Sequence, residues 1–342
     1  MMEAVKPNLT AGARAREVER QAALAKGMFE TNFSRRLHLM KVSAPLFVAE
    51  GSGINDNLNG WERAVSFDAA GPGGDAPIRL EVVQSLAKWK RLAARYYDFG
   101  PGEGLYTDMR AIRRDEEVGP LHSYLVDQWD WEKVIAREER HTGTLQAAVA
   151  LIYEALKETE AELAVLYPEL APVLPDSISF MTTQELENRY PGLTPKEREH
   201  EAARETGAVF LLEVGGKLAS GEVHDGRSPD YDDWRLNGDL IVWNPVLGTS
   251  FELSSMGIRV DEAALLAQLR ESGCEDRLSL PFHRMLMNGE LPCTMGGGIG
   301  QSRVAMFLLR KAHIGEVQMS VWPGGMAERC REIGIELLNA AD

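Results

Sequence analysis

A run of glycines near the end of the chain, Gly296-Gly297-Gly298-Ile299-Gly300-Gln301-Ser302-Arg303, leads straight into the apolar helical segment Val304 to Leu309. Glycines in such a turn let backbone approach a flat or phosphorylated ligand, and Arg303 follows one helical turn later. The common nucleotide fingerprints do not fit. A dinucleotide loop needs glycine where Gln301 stands, and a P-loop needs Gly-Lys-Ser/Thr, which is absent. A glycine-rich turn into a purely structural helix fits the run equally well, so the other polar residues must decide. Arg113 and Arg114 stand before Asp115-Glu116-Glu117, Lys90 and Arg91 follow Ser85, and Glu252 opens a segment that ends at Arg259. Each group alone reads as hydrated surface charge. Together they offer cations for phosphates or carboxylates and hard oxygen ligands for a metal ion.

The elements that must position these residues follow from periodicity. Apolar residues at helical spacing predict a long amphipathic helix from Arg16 to Leu37, and a second from Arg137 to Tyr167 that reads as a surface insertion. Val42–Val48 reads as a strand with Pro45 near its start. Gly51 to Gly60 is all turn chemistry, and Gly71-Pro72-Gly73-Gly74-Asp75 is a hairpin tip between Ala64–Phe67 and Ile78–Val83. Further strands are expected at Ile178–Met181, Ala208–Val214, Leu240–Trp243, Phe251–Ile258 and Val317–Val321. Helices are expected near Lys196–Arg204, Glu262–Glu271 and Pro281–Asn288. No repeat or long linker interrupts the chain, so the expectation is one α+β domain over residues 1–342 around a mainly antiparallel sheet, with 1–15 and 324–342 as peripheral tails.

Composition narrows the function classes. The formal net charge of −15 over 342 residues repels phosphate backbones at long range and argues against nucleic acid as the main partner. Cys274, Cys293 and Cys330 form no Cys-x-x-Cys pair, which reads as buried, inert thiols in a reducing compartment. The seven histidines show no ligand-spaced pair, so zinc is not expected. The start of the chain lacks the apolar core of a secretory signal, and no run reaches a membrane span. A cytoplasmic protein without membrane partners is the expectation.

Six segments carry polar residues too specific for turns: Asp56–Gly60, Ser85–Arg91, Gly102–Thr107, Val126–Glu132, Asp230–Trp234 and Phe251–Arg259. Read in order with the glycine run last, they closely resemble the ammonia-dependent asparagine synthetases, from about Phe29 to about Pro323. The glycine run itself matches Gly-x-Gly-x-Gly-x-x-Arg, the third signature of class II aminoacyl-tRNA synthetases. The resemblance implies the catalytic core of aspartyl- and asparaginyl-tRNA synthetases without an anticodon-binding domain. It also implies synthesis of asparagine from aspartate, ATP and ammonia through a β-aspartyl-adenylate, releasing AMP and pyrophosphate, with Mg²⁺, in a homodimer.

It assigns residues as well. Arg113 is expected to grip the α-phosphate, with Arg114 the alternative, and Arg303 to lie against adenine over a floor that includes Gly298 and Gly300. Glu252 becomes a metal ligand and Asp232 an ATP-site acid. Lys90 and Arg259 would hold the α-carboxylate of aspartate, turned end for end relative to aspartyl-tRNA synthetase, in a site that also includes Asp130 and Ser255. Asp56 is the candidate base for ammonium, with Gln128 orienting the β-carbonyl and Ser85 nearby. Positioning and charge neutralisation carry most of such a reaction, and orientation alone contributes ~7–11 kcal/mol. The chain begins Met1-Met2 rather than with a cysteine nucleophile, so free ammonia is the expected nitrogen donor. The Asp-Asp-Trp loop runs into Asn237-Gly238-Asp239 sooner than in some relatives. Two other readings stay in view: an amino-acid-activating paralogue that passes the acyl group to tRNA or another acceptor, and a noncatalytic regulator that binds ATP or asparagine.

Overall fold

Segments of apolar residues alternating with polar ones, or apolar on both sides, build the centre of the computed structural model, which describes residues 10–56, 58 and 62–338. The strands are β1 (Leu39–Lys41), β5 (Gly104–Ile112), β6 (Leu125–Val134), β7 (Ser179–Thr182), β8 (Ala208–Leu212), β9 (Asp232–Asn244), β10 (Thr249–Arg259) and β11 (Thr294–Gly300). They form an eight-stranded sheet in the order β1-β5-β6-β11-β10-β9-β8-β7. The edge pairs β1/β5 and β7/β8 run parallel, and the pairs between them antiparallel. A second sheet of three strands, in the order β2 (Phe47–Ala49), β4 (Ile78–Val82), β3 (Ser66–Ala69), contains the expected hairpin.

Because strand side chains alternate, the large sheet has two distinct faces. On one lie Tyr106, Trp129, Trp131, Phe210, Leu240 and Phe251, covered by α1 (Ala11–Leu37), α3 (Thr142–Leu166) and α8 (Gln301–Leu308) in the main core. Phe29 and Phe33 of α1 stack at 5.8 Å, and Phe29 meets Trp129 at 4.9 Å. The opposite face carries Leu105, Val134, Val209 and Leu211. There α2 (Ala87–Tyr96), α4 (Thr183–Arg189) and α5 (Pro195–Thr206) cover the two ends and leave a cleft between them. Helix α5 starts on a capping box, Thr194 with Glu197, and has Pro195 in its first turn. α6 (Glu262–Glu271) and α7 (Pro281–Met287) form a satellite core beyond β10.

Several expectations need correction. The glycine run is not a turn: Gly296–Gly300 form most of β11, between β6 and β10 in the middle of the sheet. The Asp-Asp-Trp segment is the start of β9 rather than a loop. Helix α3 is no surface insertion, since Leu145, Val149, Ile152, Leu156 and Leu163 are buried in the main core. Val42–Val48 is not one strand: residues 42–46 link β1 to β2 without regular structure, as a proline that cannot donate to a ladder permits, and only Phe47 and Val48 join a strand. Residues 317–321 form no strand. Cys330 is buried, but Cys274 and Cys293 are only half-buried. The described parts of the tails are held in place: Arg14 pairs with Glu336, α9 (Met326–Glu332) buries Cys330, and Leu338 donates to Gly315 O at 2.7 Å.

Glycine is required in β11 by close approach. A Cβ on Gly296 would stand 2.2 Å from Glu132 Oε2 and 2.4 Å from Trp131 O, and one on Gly298 would stand 2.3 Å from Gln128 Oε1. Gly296→Ala should therefore destabilise the fold by about 1–3 kcal/mol, the usual range for an overpacked interior. Urea denaturation of the variant beside the parent checks this.

Candidate active site

The uncovered part of the second face is a cleft of about 610 Å³. Strand β6 contributes Gln128 and Asp130, α2 contributes Lys90, and Ser85 lies just before it. β10 contributes Glu252, Ser255 and Arg259, and Gly297, Gly298, Gly300 and Arg303 form the floor. Glu252 and Arg259 are seven residues apart and would point to opposite faces of a regular strand. A bulge between Glu252 and Ser254 adds one residue opposite β9, which puts both on the cleft side while Phe251, Leu253, Met256 and Ile258 stay in the core.

One end of the cleft is a network of buried charges. Arg259, 2% exposed, bonds Glu132 through Nη2 at 2.7 Å and through Nε at 3.1 Å, and also bonds Asp232. Burial works against the charge on Glu132, but Arg259 overcomes it and holds the carboxyl below its ordinary value. Asp232 has less of the guanidinium, and burial lifts its carboxyl above the ordinary value. Lys90 bonds Asp130 and donates to Gly297 O at 2.9 Å. Burial pulls its ammonium below the ordinary value even so. The two cations expected to wait for a substrate carboxylate are thus already matched by three acids. Asp232, expected as an ATP-site acid, lies among them, bonded to Arg259.

The other end is assembled around Arg303, Arg113 and Glu252. Arg303 donates to Glu252 O at 2.9 Å, lies 5.8 Å from the centroid of the Phe251 ring and meets His122 Nε2 at 2.7 Å. Burial, then Arg303, pushes His122 down to about 4, so the neutral ring accepts from the guanidinium. Arg113 lines the cleft with a buried Nε that has no partner among the described residues, whereas Arg114 is exposed and does not line it. Burial disfavours the charge of Glu252, yet Arg303, Arg227 and Lys196 hold its carboxyl below the ordinary value. Nearby Asp239 is bonded by Arg227, and its Oδ1 has no donor among the described residues. Burial and the neighbouring acids, Glu252 first among them, push Asp239 up to about 6. Two carboxylates sharing one field, with an orphaned oxygen, fit a magnesium ion that takes its remaining ligands from phosphate and water. No set of three acid, histidine or cysteine ligands occurs among the described residues.

Asp56 is 3% exposed and does not line the cleft. It sits behind Gln84, whose Nε2 donates to Asp56 O at 2.7 Å. Burial pushes its carboxyl up to about 6, with Asp230 adding to the rise and Lys88 opposing it. Asp230 is fully buried and gathers Lys88 at 3.1 Å, Arg277 at 3.0 Å and His283 at 2.9 Å.

Residues 16–334 match the family model described as aspartate-ammonia ligase. The chain belongs to the aspartate-ammonia ligase family. It is 57% identical to the aspartate-ammonia ligase of Ruminiclostridium cellulolyticum over 92% of both chains. It is 56% identical to that of Fusobacterium nucleatum subsp. nucleatum over 94% of this chain and 97% of the relative. In fold it is similar to the asparaginyl-tRNA synthetase of Entamoeba histolytica in complex with asparaginyl-adenylate. The TM-score is 0.59 at 13% identity, covering 92% of this chain and 71% of that one. The asparaginyl-tRNA synthetase of Pyrococcus horikoshii aligns with a TM-score of 0.54, 14% identity and coverage of 92% and 74%. This ligase therefore has a class II aminoacyl-tRNA synthetase-like fold.

Three residues of this ligase stand outside the motifs: His122 and Gln84, which line the cleft, and Asp239, which bonds the lining Arg227. His122 and Asp239 lie five and six residues beyond the motif members Glu117 and Asp233, so pairing across strands, not local spacing, brings them in. Gln84 directly precedes Ser85 and carried no sequence signal of its own. Removing one partner of a buried ion pair is costly, so Glu132→Ala should lower stability by about 3–5 kcal/mol. Urea denaturation beside an exposed-site control such as Glu138→Ala measures the difference.

Proposed function

We propose that this ligase makes L-asparagine from L-aspartate, ATP and ammonia through a β-aspartyl-AMP intermediate, with release of AMP and pyrophosphate. The observation that carries the reading is the division of one cleft into two ends on a common glycine floor. Arg113, Arg303 and Glu252 at one end suit a nucleotide triphosphate, and Lys90, Asp130, Asp232 and Arg259 at the other suit an amino acid. The mixed charges of the second end match a zwitterion: Lys90 and Arg259 take the α-carboxylate, and Asp130 and Asp232 attract the α-ammonium. Ser255 and Ser85 line the same end, and Gln128 orients the β-carboxylate toward the α-phosphorus. Arg113, with its unpartnered Nε, neutralises the α-phosphate as the acyl–phosphate bond forms. Gly298 and Gly300 leave room for the nucleotide, and Arg303 lies against adenine.

When bound, Mg²⁺ would supply charge neutralisation to the phosphates, with Glu252 as its ligand and Asp239 the companion carboxylate. Asp56 then removes a proton from ammonium, which cannot attack while fully protonated. The same reading includes a homodimer in the cytoplasm and a single catalytic unit over residues 1–342, with 1–15 and 324–342 peripheral and neither nucleic acid nor membrane as partner. Among the described residues no helix is long and apolar enough to cross a membrane.

The deciding experiment supplies aspartate, ATP and Mg²⁺ with ammonium or glutamine as the only nitrogen source. Asparagine and AMP from ammonium alone are expected. Pyrophosphate exchange without asparagine would favour acyl transfer to another acceptor, and no turnover would favour a regulator. Arg113→Ala should lower adenylate formation by about 100-fold or more while Arg114→Ala stays near the parental rate. Equal losses in both would overturn the assignment of the α-phosphate to Arg113.

The two half-reactions should also separate with pH. Asp56 accepts a proton only when ionised, and its raised value of about 6 means that the ionised fraction falls as pH drops through 6. Asparagine formation at saturating ammonium is therefore expected to fall below pH 6 more steeply than ATP–pyrophosphate exchange. Parallel profiles would count against Asp56 as the base.

A further inference from the structure

Two buried acceptor oxygens beside the aspartate end of the cleft have no donor among the described residues. Gln84 is 1% exposed and keeps Oε1 unpaired, and Asp56 keeps Oδ2 unpaired. The two residues are joined by the bond from Gln84 Nε2 to Asp56 O. That bond fixes the amide orientation, because a flipped Gln84 would set its oxygen against a carbonyl that can only accept. The backbone N–H of Gln84 is likewise committed, to Asn55 Oδ1 at 2.9 Å, and Asp56 Oδ1 accepts from Leu58 N at 3.1 Å. Each side chain has thus used one polar atom to fix the turn and holds one oxygen in reserve. Buried acceptors without partners are rare and costly, so a donor belongs there.

The surroundings specify which donor. Gln84 lines the cleft next to Ser85, which puts its side chain at the cleft wall. The charged and titratable groups facing Asp56 are Lys88, Asp230, Arg277 and Tyr231. Lys88 and Arg277 both bond Asp230, which His283 also meets, and Ser228 gives its hydroxyl proton to the same carboxylate at 2.9 Å. Ser228 also lies close enough to favour the ionised form of Asp56, but Oδ2 itself has no hydrogen-bond donor among the described residues. The unmet need is for a compact cation with several N–H donors and no acceptor. Ammonium has that description; water lacks the charge, and larger amines replace a donor with carbon.

We propose that Gln84 Oε1 and Asp56 Oδ2 together form an ammonium-binding subsite in which Gln84 recognises the ion that Asp56 deprotonates. The inference rests on the ligase reading above and adds a residue to it. Ammonium donates one N–H to each oxygen. One proton passes to Asp56 Oδ2, and the freed nitrogen lone pair forms the C–N bond at the β-acyl carbon. The bond from that carbon to the phosphate oxygen breaks, its electron pair leaves with AMP, and the nitrogen loses a second proton to water.

The test uses the full chain with Gln84→Asn, which keeps the amide but withdraws it, and Gln84→Met, which removes its polar atoms. Three rates are read: ammonium-dependent asparagine formation, ATP–pyrophosphate exchange with aspartate, and hydroxamate formation from hydroxylamine, which arrives as a neutral amine. A rise of about tenfold or more in the KM for ammonium is expected, as for a lost hydrogen bond to a charged group, with much smaller changes in exchange and hydroxamate formation. If Gln84→Met does not fold, Gln84→Asn decides alone. An unchanged ammonium KM, or equal losses in all three rates, would overturn the subsite and leave Gln84 a holder of the turn. Failure of the parental chain to make asparagine from ammonium would instead overturn the ligase reading itself.

Discussion

Arg259 is the charge on which the rest of the cleft depends. A guanidinium this deeply buried is stable only when its donors are used, and two carboxylates from two different strands use them. Glu132 comes from β6 and Asp232 from β9, on either side of the β11/β10 pair, so one side chain ties together four neighbouring strands. The tie passes over β11 and needs space there. Gly296 supplies it, because a Cβ at that position would stand 2.6 Å from Arg259 Nη2 and 2.2 Å from Glu132 Oε2. The glycines of β11 therefore serve the protein's own charges before they serve any ligand.

This arrangement explains how an acidic molecule can receive anionic substrates. A formal charge of −15 raises the cost of bringing a triphosphate and a dicarboxylate near the surface. The cleft answers with local charge: Arg113, Arg303 and Arg227 at one end, Lys90 and Arg259 at the other. Most of these cations are bonded to acids that fix their geometry, so the substrate meets oriented donors instead of mobile surface chains. Arg113 differs, with a buried Nε that has no partner among the described residues and is free to meet an incoming oxygen.

Chemistry was more legible in the sequence than topology. Residues of the charged motifs meet in one cleft although they come from segments as distant as Ser85 and Arg303, and helices α1, α5, α6 and α7 fall close to where their periodicity placed them. The glycine run reads as a turn because glycine signals loops locally, while its real cause is the close tertiary approach of β6. β5 is absent from the expected strands although its pattern is plain: Leu105, Thr107, Met109 and Ala111 alternate inward with Asp108, Arg110 and Ile112 outward. Helix α3 looked peripheral because it carries many glutamates, yet its apolar stripe is longer than an insertion needs and fills the main core. Asp56 was named from its motif, but its burial behind Gln84 depends on contacts that span the fold.

The bulge in β10 shows why no local pattern could have delivered the site. Between Glu252 and Arg259 the strand must reach both ends of the cleft from one face, and an odd separation of seven forbids that in regular pleating. The extra residue reverses the parity once, so the core keeps Phe251 and Leu253 on one side of the irregularity and Met256 and Ile258 on the other. Shortening the strand by one residue would move either Glu252 or Arg259 out of the cleft and put an apolar side chain in its place. The Glu252 end and the Arg259 end of the cleft are thus coupled through the covalent spacing of a single strand. On the proposed reading, that coupling fixes the span between a substrate carboxylate and the α-phosphorus, and it makes the backbone of β10, as much as any side chain on it, part of the machinery.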